Sequence, residues 1–146
     1  MAYCTQSDIE KLLPKNQLIR LTDDEGINKV NAARIAEVID SAAEEIDAYI
    51  GGQTKLPITG TVPPILGKFN ADIAIYNLYS RLTESIPETR GERYKNAIKT
   101  LEKIAEGKIS IGIQPPPDPP EENEYSGASV SSARDKMFDS TTMDKY

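Results

Sequence analysis

The stretch from Ala71 to Tyr79 constrains this chain most. Wound as a helix it is apolar on nearly every side, through Ile73, Ala74, Ile75, Tyr76, Leu78 and Tyr79. A helix without a polar face has to be surrounded by other elements, so this one belongs at the centre of a core. Pro63-Pro64 suits its first turn, because proline's φ is already helical and the missing N–H would have had no partner there. The helix is expected to run to about Leu82. Asp72 is the one charged side chain in its apolar middle.

The elements that would surround it flank it on both sides. From about Asn31 to Ile50 the apolar residues Ile35, Val38, Ile39, Ala42, Ile46, Tyr49 and Ile50 recur at steps of mostly three and four, which is one face of an α-helix. Glu37, Asp40, Glu44, Glu45 and Asp47 occupy the rest of its surface, and Gly51-Gly52 ends it. Upstream, Thr5 with Asp8 marks a capped helix start, and that helix carries Ile9, Leu12 and Leu13 before Pro14 stops it. A short turn, Asn16 to Leu21, adds Leu18, Ile19 and Leu21, and a polar loop follows from Thr22 to Asn28. Gln53 to Val62 reads as an extended connector around Pro57. The last helix shows Tyr94, Ala97, Ile98, Leu101, Ile104 and Ala105 on one face and ends at Gly107. Its start is either Ser85 with Glu88 or Thr89 with Glu92, each a capping box.

From Lys108 to Ile113 the alternation of Ile109, Ile111 and Ile113 predicts one short strand. No second strand is evident to pair with it, so it is either a lid on the helices or an edge that pairs with another subunit. The expected fold is therefore all-α, a bundle of four to five helices with one short strand and a flexible C-terminal arm.

The composition changes at Gln114. Gln114-Pro115-Pro116-Pro117-Asp118-Pro119-Pro120 holds half of the chain's 10 prolines, which favours a stiff polyproline II spacer. The acidic, Ser/Ala/Gly-rich segment after it cannot bury enough surface to offset its ordering entropy. Yet Met137, Phe138, Met143 and Tyr146 return apolar groups to the end of the polar tail. A bare linker has no use for them, whereas a tethered anchor that docks on a neighbour explains both spacer and cluster. The chain thus divides into a helical domain at 1–113, a Pro-rich spacer at 114–120 and an acidic tail with terminal anchors at 121–146.

Most chemistry is excluded by what is missing. With no His and 1 Cys, the usual zinc, haem and iron–sulfur sites have no ligand set. Ser or Cys nucleophiles lack their usual base, and neither a P-loop nor a dinucleotide fingerprint is present. Oxygen-only Mg²⁺ or Ca²⁺ binding stays open, but Asp23-Asp24-Glu25-Gly26 lacks the alternating ligands of a calcium loop. No cofactor is expected, and no enzymatic role. A net charge of −6, with Lys and Arg interleaved among acids, argues against sequence-specific nucleic-acid binding. No apolar run is long enough to cross a bilayer, and Met1 to Asp8 lacks the basic start and apolar core of a signal peptide.

Four further readings concern single groups. Asp72 is expected to be a buried acid paired with Arg81, with Arg90 and Arg93 as alternatives, because buried charges are usually paired. An inter-subunit contact is its second reading. Cys4 reads as a small unreactive side chain, and Tyr76 and Tyr79 as core residues whose hydroxyls reach polar partners. The acidic face at Glu37, Asp40, Glu44 and Asp47 is either simply solvated, or lines a channel or meets a basic partner.

Several segments, in order, resemble a family of small virion proteins of Mu-like phages and prophages. They are Tyr3-x-Thr5-x-x-Asp8-Ile9, Leu21-Thr22-Asp23-Asp24, Ala33-Arg34-Ile35, Ala43-Glu44-Glu45-Ile46-Asp47-Ala48-Tyr49-Ile50-Gly51-Gly52, Leu56-Pro57-Ile58 and Asp72-Ile73-Ala74 with Tyr76-x-Leu78-Tyr79. The resemblance covers roughly Tyr3 to Ile113, and Arg134-Asp135-Lys136-Met137 looks like the family's terminal stretch. Gln53-Thr54 departs from it, standing where the family pattern has Arg and Tyr. The resemblance implies a virion protein: a head–tail adaptor or head-completion subunit that joins portal, tail proteins and its own copies in a ring through which DNA passes. The free chain could remain a monomer. Glu37, Asp40, Glu44 and Asp47 would then line the lumen, and Arg134, Met137, Phe138, Met143 and Tyr146 would bind a partner. From the residues alone, a regulatory adaptor binding one protein through its tail is the alternative, and an enzyme built on a carboxylate near Asp72 is a third.

Overall fold

The computed structural model describes residues 1–82 and 85–113, and five helices form among them. Helix α1 spans Gln6–Leu12, α2 Lys15–Thr22, α3 Ala32–Ile50, α4 Pro64–Ser80 and α5 Glu88–Ala105. Thr5 caps α1 as its sequence predicts: the Asp8 carboxylate reaches back and accepts the Thr5 amide at 3.0 Å. The α1–α2 break falls at Leu13-Pro14, and Pro14 then serves as the N-cap of α2. What the sequence suggested as a mere turn at Asn16 to Leu21 is thus a true helix. Asn31 caps α3 by accepting the Arg34 amide at 3.1 Å.

Helix α4 is the axis of the bundle. Leu66, Phe69, Asn70, Ala71, Asp72, Ile73, Ala74, Ile75 and Leu78 are all buried along it, which is burial on every side. It packs against α3 and α5 most extensively, with α1 and α2 closing the remaining sides. From α3 come Ile35, Val38, Ile39, Ala42, Ile46 and Ile50, and from α5 come Ala97, Leu101 and Ile104. Burying a side chain the size of Leu or Ile contributes about 1.5–3 kcal/mol, so this shared core is the main source of stability. The connector before α4 contains a cis Leu56–Pro57 bond and buries Ile58.

Helix α5 starts at Glu88 with Pro87 as its N-cap, so neither expected capping box opens it. It ends in a Schellman arrangement. The Lys108 amide donates to the Lys103 carbonyl at 2.8 Å and the Gly107 amide to the Ile104 carbonyl at 2.9 Å, with Gly107 at φ +72°. That left-handed conformation is the reason for glycine here.

The predicted strand does not form: Lys108 to Ile113 contains no extended ladder, and no strand occurs among the described residues. With no neighbouring strand to satisfy its amides, the alternation has a different cause. Ile109, Ile111 and Ile113 instead line a hollow against the ends of α3 and α5. The spacer 114–120, the tail 121–146 and the C-terminal arm expected from them lie outside the described residues.

Candidate functional site

On α3 the acids separate into two groups. Glu37, Asp40 and Glu44 are exposed, on the side of the helix turned away from α4. Glu37 pairs with Arg34 one turn back at 2.7 Å, a solvated contact of small energetic weight. Asp47 continues the stripe by spacing but is only half exposed, because the N-terminal segment lies on it. The Tyr3 hydroxyl donates a hydrogen bond to Asp47 Oδ1, and the Met1 ammonium stands 3.3 Å from Oδ2. Burial, and then the bond to Asp47, push the Tyr3 phenol well above the usual tyrosine range. The stripe expected at Glu37, Asp40, Glu44 and Asp47 is therefore three outward-facing carboxylates and a fourth engaged inside the molecule. On the other flank of α3, Glu45 accepts the Tyr94 hydroxyl at 3.0 Å. Burial and that contact raise the Tyr94 phenol to about 12. Tyr94 also stacks on Tyr76, with ring centroids 4.0 Å apart, and the Tyr79 hydroxyl lies 3.4 Å from Gln17 Oε1.

The N-terminal segment is tied down a second time. The fully buried Asn70 accepts the Cys4 amide at 3.0 Å and donates to the Ile39 carbonyl at 3.0 Å. One side chain thereby joins the N-terminal segment, α4 and α3. Gly67 lies on the same face of α4, one turn earlier, where a Cβ would come within 2.9 Å of the Tyr3 carbonyl oxygen. Sequence periodicity missed this fastening, although an amide in an apolar helix with a glycine three residues before it is a readable signal. Cys4 is buried, and its thiol is raised to about 11 by burial, with the Asp8 charge adding to it. A thiol so protonated is a poor nucleophile.

Asp72 is buried, with its side chain 5% exposed, but its partner is Arg93 at 3.4 Å. The expected Asp72–Arg81 pair is not made. From position 72 to position 81 a helix turns about two and a half times, which places the two residues on opposite sides of α4. Arg81 turns instead to the end of α2 and the loop that follows it, donating to the Leu21 carbonyl at 2.8 Å and to Asp24 at 2.6 Å. Asp24 also holds Arg34 at 3.2 Å, so one exposed acid links the end of α4 to the start of α3. Its neighbour Asp23 accepts the amides of Ile27 at 3.1 Å and Asn28 at 2.6 Å. Desolvation works to raise the Asp23 carboxyl, and these amides with those of Gly26 and Glu25 hold it below its ordinary value. The acidic loop is thus used to shape itself and to clamp two helices. The tail residues Arg134, Met137, Phe138, Met143 and Tyr146 lie outside the described residues.

Among the described residues no helix is long and apolar enough to cross a membrane. The geometry defines an all-α bundle whose buried polar groups bind its own segments together and whose longest helix presents an acidic stripe outward. The family model of Bacteriophage Mu Gp36 matches residues 3–129, and the chain belongs to that family of Mu-like phage proteins. It is also similar to the Mu-like prophage FluMu protein gp36 of Haemophilus influenzae, 35% identical over 85 residues, which is 58% of this chain and 57% of the relative. The match therefore spans little more than half of that curated relative. The terminal anchors, from Arg134 onward, fall beyond the region that the family model matches.

Proposed function

We propose that this chain is a structural, non-catalytic subunit of the phage virion that acts as a head–tail connector. In this reading it binds the portal, tail proteins and neighbouring copies to form a ring through which DNA passes. The observation that carries the reading is a Mu-family bundle whose α3 holds Glu37, Asp40 and Glu44 exposed along one stripe. Clustered carboxylates repel DNA phosphates, so a channel lined by them lets the duplex move without the counterion-releasing contacts that would hold it. Asp47 is left out of this lining, since it fastens the N-terminal segment. The remainder of the surface is then free for protein contacts.

Quantitative mass spectrometry of purified virions tests the reading. The chain is expected as a stoichiometric component at a small multiple of the portal ring. Its absence from purified, infectious particles would remove it from the connector.

A further inference from the structure

An apolar hollow opens where the described chain ends. Ile50 at the end of α3, Ile104 at the end of α5, and Ile109, Ile111 and Ile113 beyond the Schellman turn line it, with a volume of about 230 Å³. Ile109 is 36% exposed at its mouth, and Ile111 and Ile113 are only half buried. A cluster of branched apolar side chains around an open hollow is unsatisfied surface, of the kind that a docking segment covers. The chain leaves this hollow directly into the Pro-rich spacer.

We propose that the hollow is the receptor for this chain's own terminal anchor, with Phe138 as the inserted side chain and Met137 beside it. Three observations select this occupant. The first is chemical: isoleucines dominate the lining of the hollow, beside Gln53, Thr54 and Ser110, and Met137 and Phe138 are large apolar side chains after a long polar stretch. The second is reach. A seven-residue spacer in the polyproline II form expected from its sequence would extend roughly 20 Å at 3.1 Å per residue, and a flexible polar segment as long as 121–137 would have a root-mean-square span also on the order of 20 Å. One leg out and one leg of similar length back would put Phe138 within reach of the hollow from which the chain departs. The third is tethering, which gives a short-linked segment an effective concentration in the millimolar range, so even a weak contact is occupied within one molecule before a second molecule competes. This refines the reading of the tail as an anchor by naming its receptor in the free chain. Because the test uses the free protein, its failure leaves the connector reading standing.

The experiment is methyl NMR of the full-length chain with isoleucine δ1 methyls labelled, comparing the native protein with Phe138→Ser. The aromatic ring should shift the methyl signals of Ile104, Ile109, Ile111 and Ile113 upfield, and the substitution should abolish that shift. Ile9 and Ile73, deep in the bundle, should not move and so report that the variant is folded. Two results would overturn the proposal. One is identical Ile109, Ile111 and Ile113 signals in both proteins. The other is recovery of the native shifts when labelled Phe138→Ser is mixed with unlabelled native chain, which would assign the hollow to a neighbouring copy's anchor.

Discussion

The side-chain oxygen of Asn70 accepts the backbone amide of Cys4 at 3.0 Å across a separation of 66 residues, in a fully buried position. The same side chain donates to the Ile39 carbonyl, so removing it strands a buried donor on the N-terminal segment and takes a second bond from α3. Leaving buried polar groups unpaired costs about 1–3 kcal/mol each. Asn70→Ala is therefore expected to lower the unfolding free energy by about 2–3 kcal/mol in urea titration. A loss below about 0.5 kcal/mol would show that the contact carries little of the fold.

Two glycines in helices should respond oppositely to alanine. By helix propensity alone, each Gly→Ala change gains about 1 kcal/mol. At Gly91 in α5 a Cβ would meet nothing within 4 Å, so Gly91→Ala should stabilise by roughly 0.5–1 kcal/mol. At Gly67 the Cβ would press on the Tyr3 backbone at 2.9 Å, so Gly67→Ala should destabilise by about 1–2 kcal/mol. It should also speed hydrogen exchange in Tyr3 and Cys4. Equal melting temperatures for the two variants would refute the close packing of the N-terminal segment.

The acid limb of stability should contain a contribution from Asp8. Bonds from Lys11 first, and then from Thr5, lower its carboxyl from 3.8 to about 2. A carboxyl depressed in the folded state stabilises above its unfolded value and loses that contribution as pH falls from about 4 to about 2. Asp8→Asn should flatten the stability profile within that window and leave its slope above pH 5 unchanged. The carboxylate is exposed, so the expected change is one of slope and is modest in size. An identical pH profile for both proteins would exclude the role.

A double-mutant cycle separates the two arginines near Asp72. Asp72 with Arg93 should show a coupling of about 0.5–1 kcal/mol, because Arg93 is half exposed and the contact is long. Asp72 with Arg81 should show none, whereas Asp24 with Arg81 should couple by a similar small amount. Coupling between Asp72 and Arg81 would overturn the assignment.

The helices were legible because their apolar spacing is strong. The α3 reading of Asn31 to Ile50 differs from the observed Ala32–Ile50 only at its cap, and α4 is the central buried helix that Ala71 to Tyr79 demanded. Proline marked the breaks well, at Pro14 and at Pro63-Pro64. The failures share a cause, which is that local pattern does not say what lies opposite. Ile109, Ile111 and Ile113 alternate like a strand, yet they face a hollow and not a ladder. Arg81 is near Asp72 in sequence but on the other side of the helix, and a count of helical turns would have excluded it, although only the packing of α5 on α4 singles out Arg93. The Tyr3–Asp47 contact joins segments with no shared periodicity, so nothing local announced that one carboxylate of the acidic stripe was already engaged.

The most direct test of the connector reading is to mix the full-length chain with the portal of the same phage and image the complex by cryo-electron microscopy. The account predicts a ring of copies on one end of the portal, with Glu37, Asp40 and Glu44 facing the channel. A portal without added density, or a ring whose channel is lined by another face of the bundle, would contradict it.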